Sequence, residues 1–314
     1  MSSAYPPKKV AAAVVFFTFI VLCFTPYLNP PVALLSGVIF SLALGHPFPS
    51  YNRSAVTLLL QLSIIGLGFG INLHEAAAIG LDGFWLTISS IIITLVVGLI
   101  AGKWLSLNKN ITLLISMGTA ICGGSAIAAI SPILNAKEEE MSISLGTVFI
   151  LNAVALFIFP AVGHWINMDQ EQFGVWSAIA IHDTSSVVGA AQTYGNEALK
   201  IATTVKLSRA LWIVPIAFIT ALVLKKDRAV RFPYFILLFV VAMIASTYIT
   251  EVQNMAKWIV PFSKKGMTLT LFLIGAGLNF SSLRNIGPRP LFLGIGLWVM
   301  IAMGTLAFIL SPFF

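Results

Sequence analysis

The chain has 314 residues, 58% hydrophobic and 9% charged, whereas a soluble domain carries about 25% charged residues. Apolar runs of membrane-spanning length recur from end to end, which excludes a soluble enzyme built on one core. The alternating segments of a transmembrane β-barrel are missing too. The net charge of +7 reads as membrane topology and not as nucleic-acid binding, because no basic cluster is dense.

In chain order, Lys8-Lys9 and the apolar run after them imitate a secretory signal. No small-residue cleavage site follows, so residues 10–26 are expected to stay as a first helix. Pro26, Pro30 and Pro31 turn the chain into a short second segment, Val32 to Leu44. The third runs from Ser54 to Asn72, followed by an amphipathic or loop stretch from Leu73 to Gly83, and the fourth from Phe84 to Leu105. The fifth, Ile111 to Leu134, is interrupted at Ile121-Cys122-Gly123-Gly124-Ser125, because adjacent glycines break a helix at lipid depth unless protein re-satisfies the backbone. The sixth is Met141 to Ile166. The seventh begins near Gly174 and carries His182 and Asp183 in its middle. Ala198 to Leu224, Phe232 to Tyr248, Met267 to Phe280 and Leu291 to Leu310 complete about 11 segments. An excess of Lys and Arg in alternate loops predicts N-in, C-out. The expected fold is thus an all-α polytopic membrane protein, one transmembrane domain over residues 1–314.

Two self-similarities suggest inverted repeats, approximately 30–166 and 174–312. Ile65-Gly66-Leu67-Gly68-Phe69 aligns with Ile274-Gly275-Ala276-Gly277-Leu278, and Asn72 falls close to Asn279. Ile121-Cys122-Gly123-Gly124-Ser125 aligns with Ile181-His182-Asp183-Thr184-Ser185. Inverted repeats place substrate and coupling ions near the midplane, at broken helices. If the fifth and seventh segments each cross once, they run the same way and cannot be inverted copies. If they are re-entrant hairpins, they enter from opposite faces. The charge pattern satisfies both.

Asp183 is the one carboxylate well inside a membrane segment. It can bind Na⁺, carry a proton or cap a helix, and a cap alone would need only a serine. His182 beside it titrates near neutral pH. Together they are the candidate coupling-ion residues for H⁺ or Na⁺. Lys206 and Arg209 share a helix face, at depths of about 12 and 16 Å from the start of their segment. They can pair with Asp183, or hold an anion by a point charge and a bidentate fork. Two cations against one acid favour the anion. Gly123, Gly124 and Ser125, with Thr184, Ser185 and Ser186, are candidate half-helix N-termini, whose free N–H groups and dipole suit an anion. Asn72 and Asn279 are secondary polar candidates, and Asn152 suits helix–helix hydrogen bonding. No phosphate loop, metal spacing or nucleophile–base constellation is present, so neither a cofactor nor enzyme chemistry is expected.

Gly118-Thr119-Ala120-Ile121-Cys122-Gly123-Gly124-Ser125-Ala126, Ile181-His182-Asp183-Thr184-Ser185-Ser186-Val187-Val188-Gly189-Ala190 and Lys206-Leu207-Ser208-Arg209 resemble the YeiH-type sulfate exporter family of bacterial inner-membrane proteins. The resemblance covers nearly the whole chain. It implies a place in the cation/proton antiporter and anion transporter superfamily, with inverted repeats and discontinuous helices. The run from Gly123 through Val162 is also similar to the bile-acid symporter pattern of a broken helix followed by an intact one. The activity the resemblance implies is secondary transport of a small anion, sulfate, sulfite or a related sulfur-containing anion, as an exporter of the inner membrane coupled to H⁺ or Na⁺. The alternative is a Na⁺/H⁺-type antiporter using Asp183. The expected partners are the anion and the lipid bilayer, no nucleic acid, with a homodimer as an open form of assembly.

Overall fold

The structure is a computed structural model and describes residues 7–82, 84–223, 234–277 and 287–312. The described elements are all helical: α1 (Pro7–Cys23), α2 (Pro30–Leu44), α3 (Pro49–Gly68), α4 (Leu73–Asp82), α5 (Phe84–Trp104), α6 (Lys109–Ala120), α7 (Gly124–Leu134), α8 (Glu138–Trp165), α9 (Gln170–Ala180), α10 (Thr184–Tyr194), α11 (Asn196–Leu211), α12 (Ile213–Val223), α13 (Tyr234–Tyr248), α14 (Thr250–Gly277) and α15 (Pro288–Ile309). Among the described residues, Phe84–Trp104, Glu139–Trp165, Asn196–Thr220 and Pro288–Ile309 are long and apolar enough to cross a membrane, and several shorter helices are equally apolar.

The chain divides into two compact units, Met1–Leu73 with Leu237–Asn279, and His74–Ile236 with Phe280–Phe314. In the first, α14 lies against α2 and α3. The crossing with α2 is close because glycines meet there. A Cβ on Gly37 would stand 2.2 Å from the Phe272 carbonyl oxygen, and one on Gly275 would stand 2.2 Å from that of Leu34. Phe16, Phe40 and Phe272 fill the core beside this crossing. Asn52 Nδ2 donates to the Leu273 carbonyl at 3.0 Å, which supplies the polar tie across α3 and α14.

Three expected boundaries change. The stretch after Asn72, read as amphipathic or loop, is helical as α4. The segment expected from Met267 begins at Thr250, so α14 is 28 residues long and includes Lys257, Lys264 and Lys265. Those lysines depress local hydropathy but do not interrupt a helix, and Lys265 Nζ reaches the Thr25 carbonyl within the same unit. The segment expected as one helix from Ala198 to Leu224 divides at Trp212 into α11 and α12. Pro215 has no N–H to return to the carbonyl of Leu211, so the ladder is interrupted there.

Candidate functional site

The second unit contains a motif that occurs twice: a pair of short helices folded back on each other, then a longer helix. The first pair is α6 and α7. Its base is closed by Glu140, whose carboxylate oxygens accept from Asn108 Nδ2 at 2.8 Å and Asn110 Nδ2 at 2.9 Å. One of those oxygens also accepts the Lys137 N–H at 2.8 Å, capping α8. Asn108 precedes α6 and Glu140 follows α7, so the chain between them goes out and comes back. Ile127 of α7 packs at Gly118 of α6, close to the tip.

The second pair is α9 and α10. The Tyr194 ring, at the end of α10, stacks on Phe173, near the start of α9, with centroids 3.8 Å apart. Its hydroxyl donates to the Met168 carbonyl at 2.6 Å, and Gln170 Oε1 accepts the Glu197 N–H at 2.9 Å. The fifth and seventh predicted segments are therefore each a pair of helices folded back on one another.

The long helix α8 fixes how the hairpins face each other. It has 28 residues and so runs for about 42 Å. The base of the first hairpin is at its N-terminal end, through Glu140. The base of the second begins just past its C-terminal end, at Met168 and Gln170. The two tips thus approach from opposite ends of α8 and meet beside its middle. Asn152, about 21 Å along the helix, accepts the His182 and Asp183 N–H groups on one oxygen, both at 3.1 Å.

The tips touch. Gly123 has φ +65°, a conformation that favours glycine, and a Cβ there would lie 3.2 Å from Asp183 Cα. Gly123 is the N-cap of α7 and, being glycine, offers no side chain to its first turn. In the other tip Asp183 is the N-cap of α10. Its Oδ2 accepts the Ser185 N–H at 3.0 Å and also the Ser185 hydroxyl. Thr184, Ser185 and Ser186 are buried in the first turn of α10, while Ser125 is exposed in the first turn of α7 and Asp183 is half-buried.

Lys206 and Arg209 of α11 are both fully buried, at 0% exposure. Lys206 Nζ donates to the carbonyls of Ala178 at 3.2 Å and Ile181 at 2.6 Å. Arg209 donates through Nε to Ala120 at 2.7 Å and through Nη1 to Ile179 at 3.1 Å. These acceptors are the C-terminal carbonyls of α6 and α9, which have no partner within their helices. The two cations therefore sit at the negative ends of two helix dipoles, and Arg209 ties the tips together.

All the tip residues singled out in the sequence, Gly123, Gly124, Ser125, His182, Asp183, Thr184, Ser185 and Ser186, converge here with Lys206 and Arg209. Asn72 follows α3 in the first unit and is exposed. Asn279 lies outside the described residues. Sequence reasoning placed Asn152 among helix–helix contacts and missed that it holds a tip. Its mid-helix position in an apolar run was the available signal. Asn152 Nδ2 and both His182 ring nitrogens are buried without a protein partner, so the polar inventory of the tips is larger than their internal bonds use.

A family model described as "Conserved hypothetical protein 698" matches residues 11–294. The chain belongs to this family. Relatives in it are named UPF0324 membrane protein. The one from Porphyromonas gingivalis is 53% identical over 292 residues, covering 91% of this chain and 88% of the relative. That from Bacteroides thetaiotaomicron is 49% identical, covering 96% of this chain and 93% of the relative. That from Shewanella oneidensis is 48% identical, covering 98% of each. No solved structure matches the chain. As a UPF0324 protein it is a membrane protein, in agreement with its spanning-length helices, and the YeiH-type resemblance of its motifs is borne out.

Proposed function

We propose that this UPF0324 protein is a secondary transporter of a small anion, sulfate, sulfite or a related sulfur-containing anion, acting as an exporter in the inner membrane. The observation that carries the reading is the meeting of two half-helix N-termini, those of α7 and α10, beside two buried cations. Helix N-termini and nearby positive charge favour an anion, and buried ionisable groups in a membrane segment are held there at a cost that function offsets. Gly123, Gly124 and Ser125 with Thr184, Ser185 and Ser186 would face the anion. Lys206 and Arg209 would attract it through their field and their remaining N–H groups. His182 and Asp183 would carry the coupling ion, H⁺ or Na⁺. The inverted arrangement of the two hairpins supports repeats over 30–166 and 174–312 and alternating access between them, with the N-terminus inside and the C-terminus outside.

The test is flux of radiolabelled sulfate and sulfite in proteoliposomes at two pH values. Wild type should move at least one of them, and Asp183→Asn and Lys206→Gln should each slow it. Unchanged flux in both variants would sink the site assignment. A second reading, Na⁺/H⁺ exchange at Asp183, is favoured by the half-buried position of that carboxylate at the tip contact. Proton movement on adding Na⁺ with no transportable anion would select it.

A further inference from the structure

The carbonyls at the ends of α6 and α9 need a positive partner. Each helix C-terminus carries about half a negative charge, and here two of them end at the tips, away from their hairpin bases. Of the carbonyls left open by the last turn of α9, those of Ala178, Ile179 and Ile181 are taken by side-chain nitrogens. That of Ala120, the last residue of α6, is taken by the Arg209 guanidinium. Clusters of unwound and C-terminal carbonyls at broken helices are the groups that coordinate Na⁺ in membrane transporters. In this chain a tethered ammonium and a tethered guanidinium stand on them instead.

We infer that Lys206 and Arg209 are resident counter-cations filling a carbonyl site that a free monovalent cation would otherwise take. The protein therefore binds no Na⁺ at the tips, and removal of the Lys206 charge uncovers a monovalent-cation site on the carbonyls of Ala178 and Ile181. The inference rests on the reading of the tips as the transport site and narrows its coupling ion to the proton. An ammonium is a point charge with freely rotating donors, the closest side-chain equivalent of a bare monovalent ion. Its separation of 2.6 Å from the Ile181 carbonyl is a charge-assisted contact. Arg209 holds the other two carbonyls as a planar fork and bridges the tips, so its loss would also separate the hairpins. Lys206 donates to carbonyls of the second hairpin, those of Ala178 and Ile181, and is the cleaner position to test.

The test uses purified full-length protein in detergent and follows thermal unfolding in NaCl, KCl or choline chloride at equal ionic strength, which holds screening constant. For wild type and for Lys206→Arg the three curves should coincide. Lys206→Ala should unfold at a lower temperature in choline chloride. NaCl or KCl should recover about half or more of that loss with a saturable dependence on concentration, as a ligand bound only by the folded state does. A saturable Na⁺ stabilisation of wild type would overturn the inference, and so would identical Lys206→Ala curves in all three salts. If Lys206→Ala does not survive purification, Lys206→Gln takes its place and the wild-type comparison still decides against the inference when it shows Na⁺ binding. The readout is cation binding and not anion flux. Failure here therefore leaves the anion reading standing, whereas failure of the flux experiment removes the bearing on the coupling ion and leaves only the carbonyl site to be read from the melting curves.

Discussion

The Arg209 guanidinium donates to the Ala120 carbonyl, 89 residues earlier in the chain and in the other hairpin. Nη1 of the same group reaches Ile179 at 3.1 Å. One side chain thus closes the C-terminal ends of two helices that come from opposite ends of α8. Replacing Arg209 with Ala leaves those carbonyls buried without donors. An orphaned buried polar group costs about 1–3 kcal/mol, and the loss should appear as a lower unfolding temperature in detergent. Arg209→Lys can reach only part of the set and should fall between. An Arg209→Ala protein as stable as wild type would refute the bridging role.

Asn152 holds the second tip by accepting two backbone N–H groups on one oxygen. Asn152→Ala removes both bonds and should lower stability by about 1–3 kcal/mol. Asn152→Asp keeps the acceptor and should retain more of the fold than Asn152→Ala, measured by the same melting curves. Equal losses in the two variants would mean that the oxygen is not what matters.

Gly123 combines a positive φ with contact against the Asp183 backbone. Gly123→Ala should cost about 1–3 kcal/mol from the positive-φ backbone alone, and the added methyl pushes the tips apart. Flux in proteoliposomes should fall further than that of Gly296→Ala, a position where a Cβ meets nothing within 4 Å. Similar flux in both variants would contradict close tip contact as a requirement.

At the base of the second hairpin, Tyr194→Phe removes only the hydrogen bond to Met168 and keeps the stack on Phe173. The expected loss is about 0.5–1.5 kcal/mol. Tyr194→Ala removes the ring as well and should cost more than Tyr194→Phe, since the stack on Phe173 is lost with it. A double-mutant comparison with Phe173→Ala should show coupling in the unfolding temperature.

Glu140 closes the first hairpin by serving Asn108, Asn110 and the Lys137 N–H at once. Glu140→Gln keeps one oxygen and introduces a donor facing donors, so it should destabilise the protein. Asn110→Ala should be milder, because it removes one of three bonds. Limited proteolysis between α7 and α8 would report the opened base, and unchanged cleavage in Glu140→Gln would argue against it.

Both breaks were legible in the sequence. Cys122-Gly123-Gly124 interrupts an apolar run with residues that leave the helical basin, and Asp183-Thr184-Ser185 is helix-start chemistry in the middle of another. Hydropathy cannot separate a hairpin from a crossing helix, since both are apolar along their length. The decision came from contacts between residues far apart in sequence, Asn108 with Glu140 and the Gln170 side chain with the Glu197 N–H. The early start of α14 was hidden for a related reason. Its lysines lower the local hydropathy by which a span is recognised, although a helix accommodates them on its flanks.

What the sequence determined by itself is the membrane class, the family, the two breaks and the set of residues around them, because composition and local backbone preference are properties of neighbours in the chain. Only the tertiary structure decided what those residues touch. Along the chain Arg209 and Lys206 read as partners of Asp183 or of an anion, and the structure sets them against the ends of the half-helices. The carbonyls they meet are unpaired only because each helix stops, and they converge only because the hairpins fold back from opposite ends of α8. Hydrogen bonds to backbone carbonyls carry no signature in residue identity, so no reading of side chains along the chain could have assigned them.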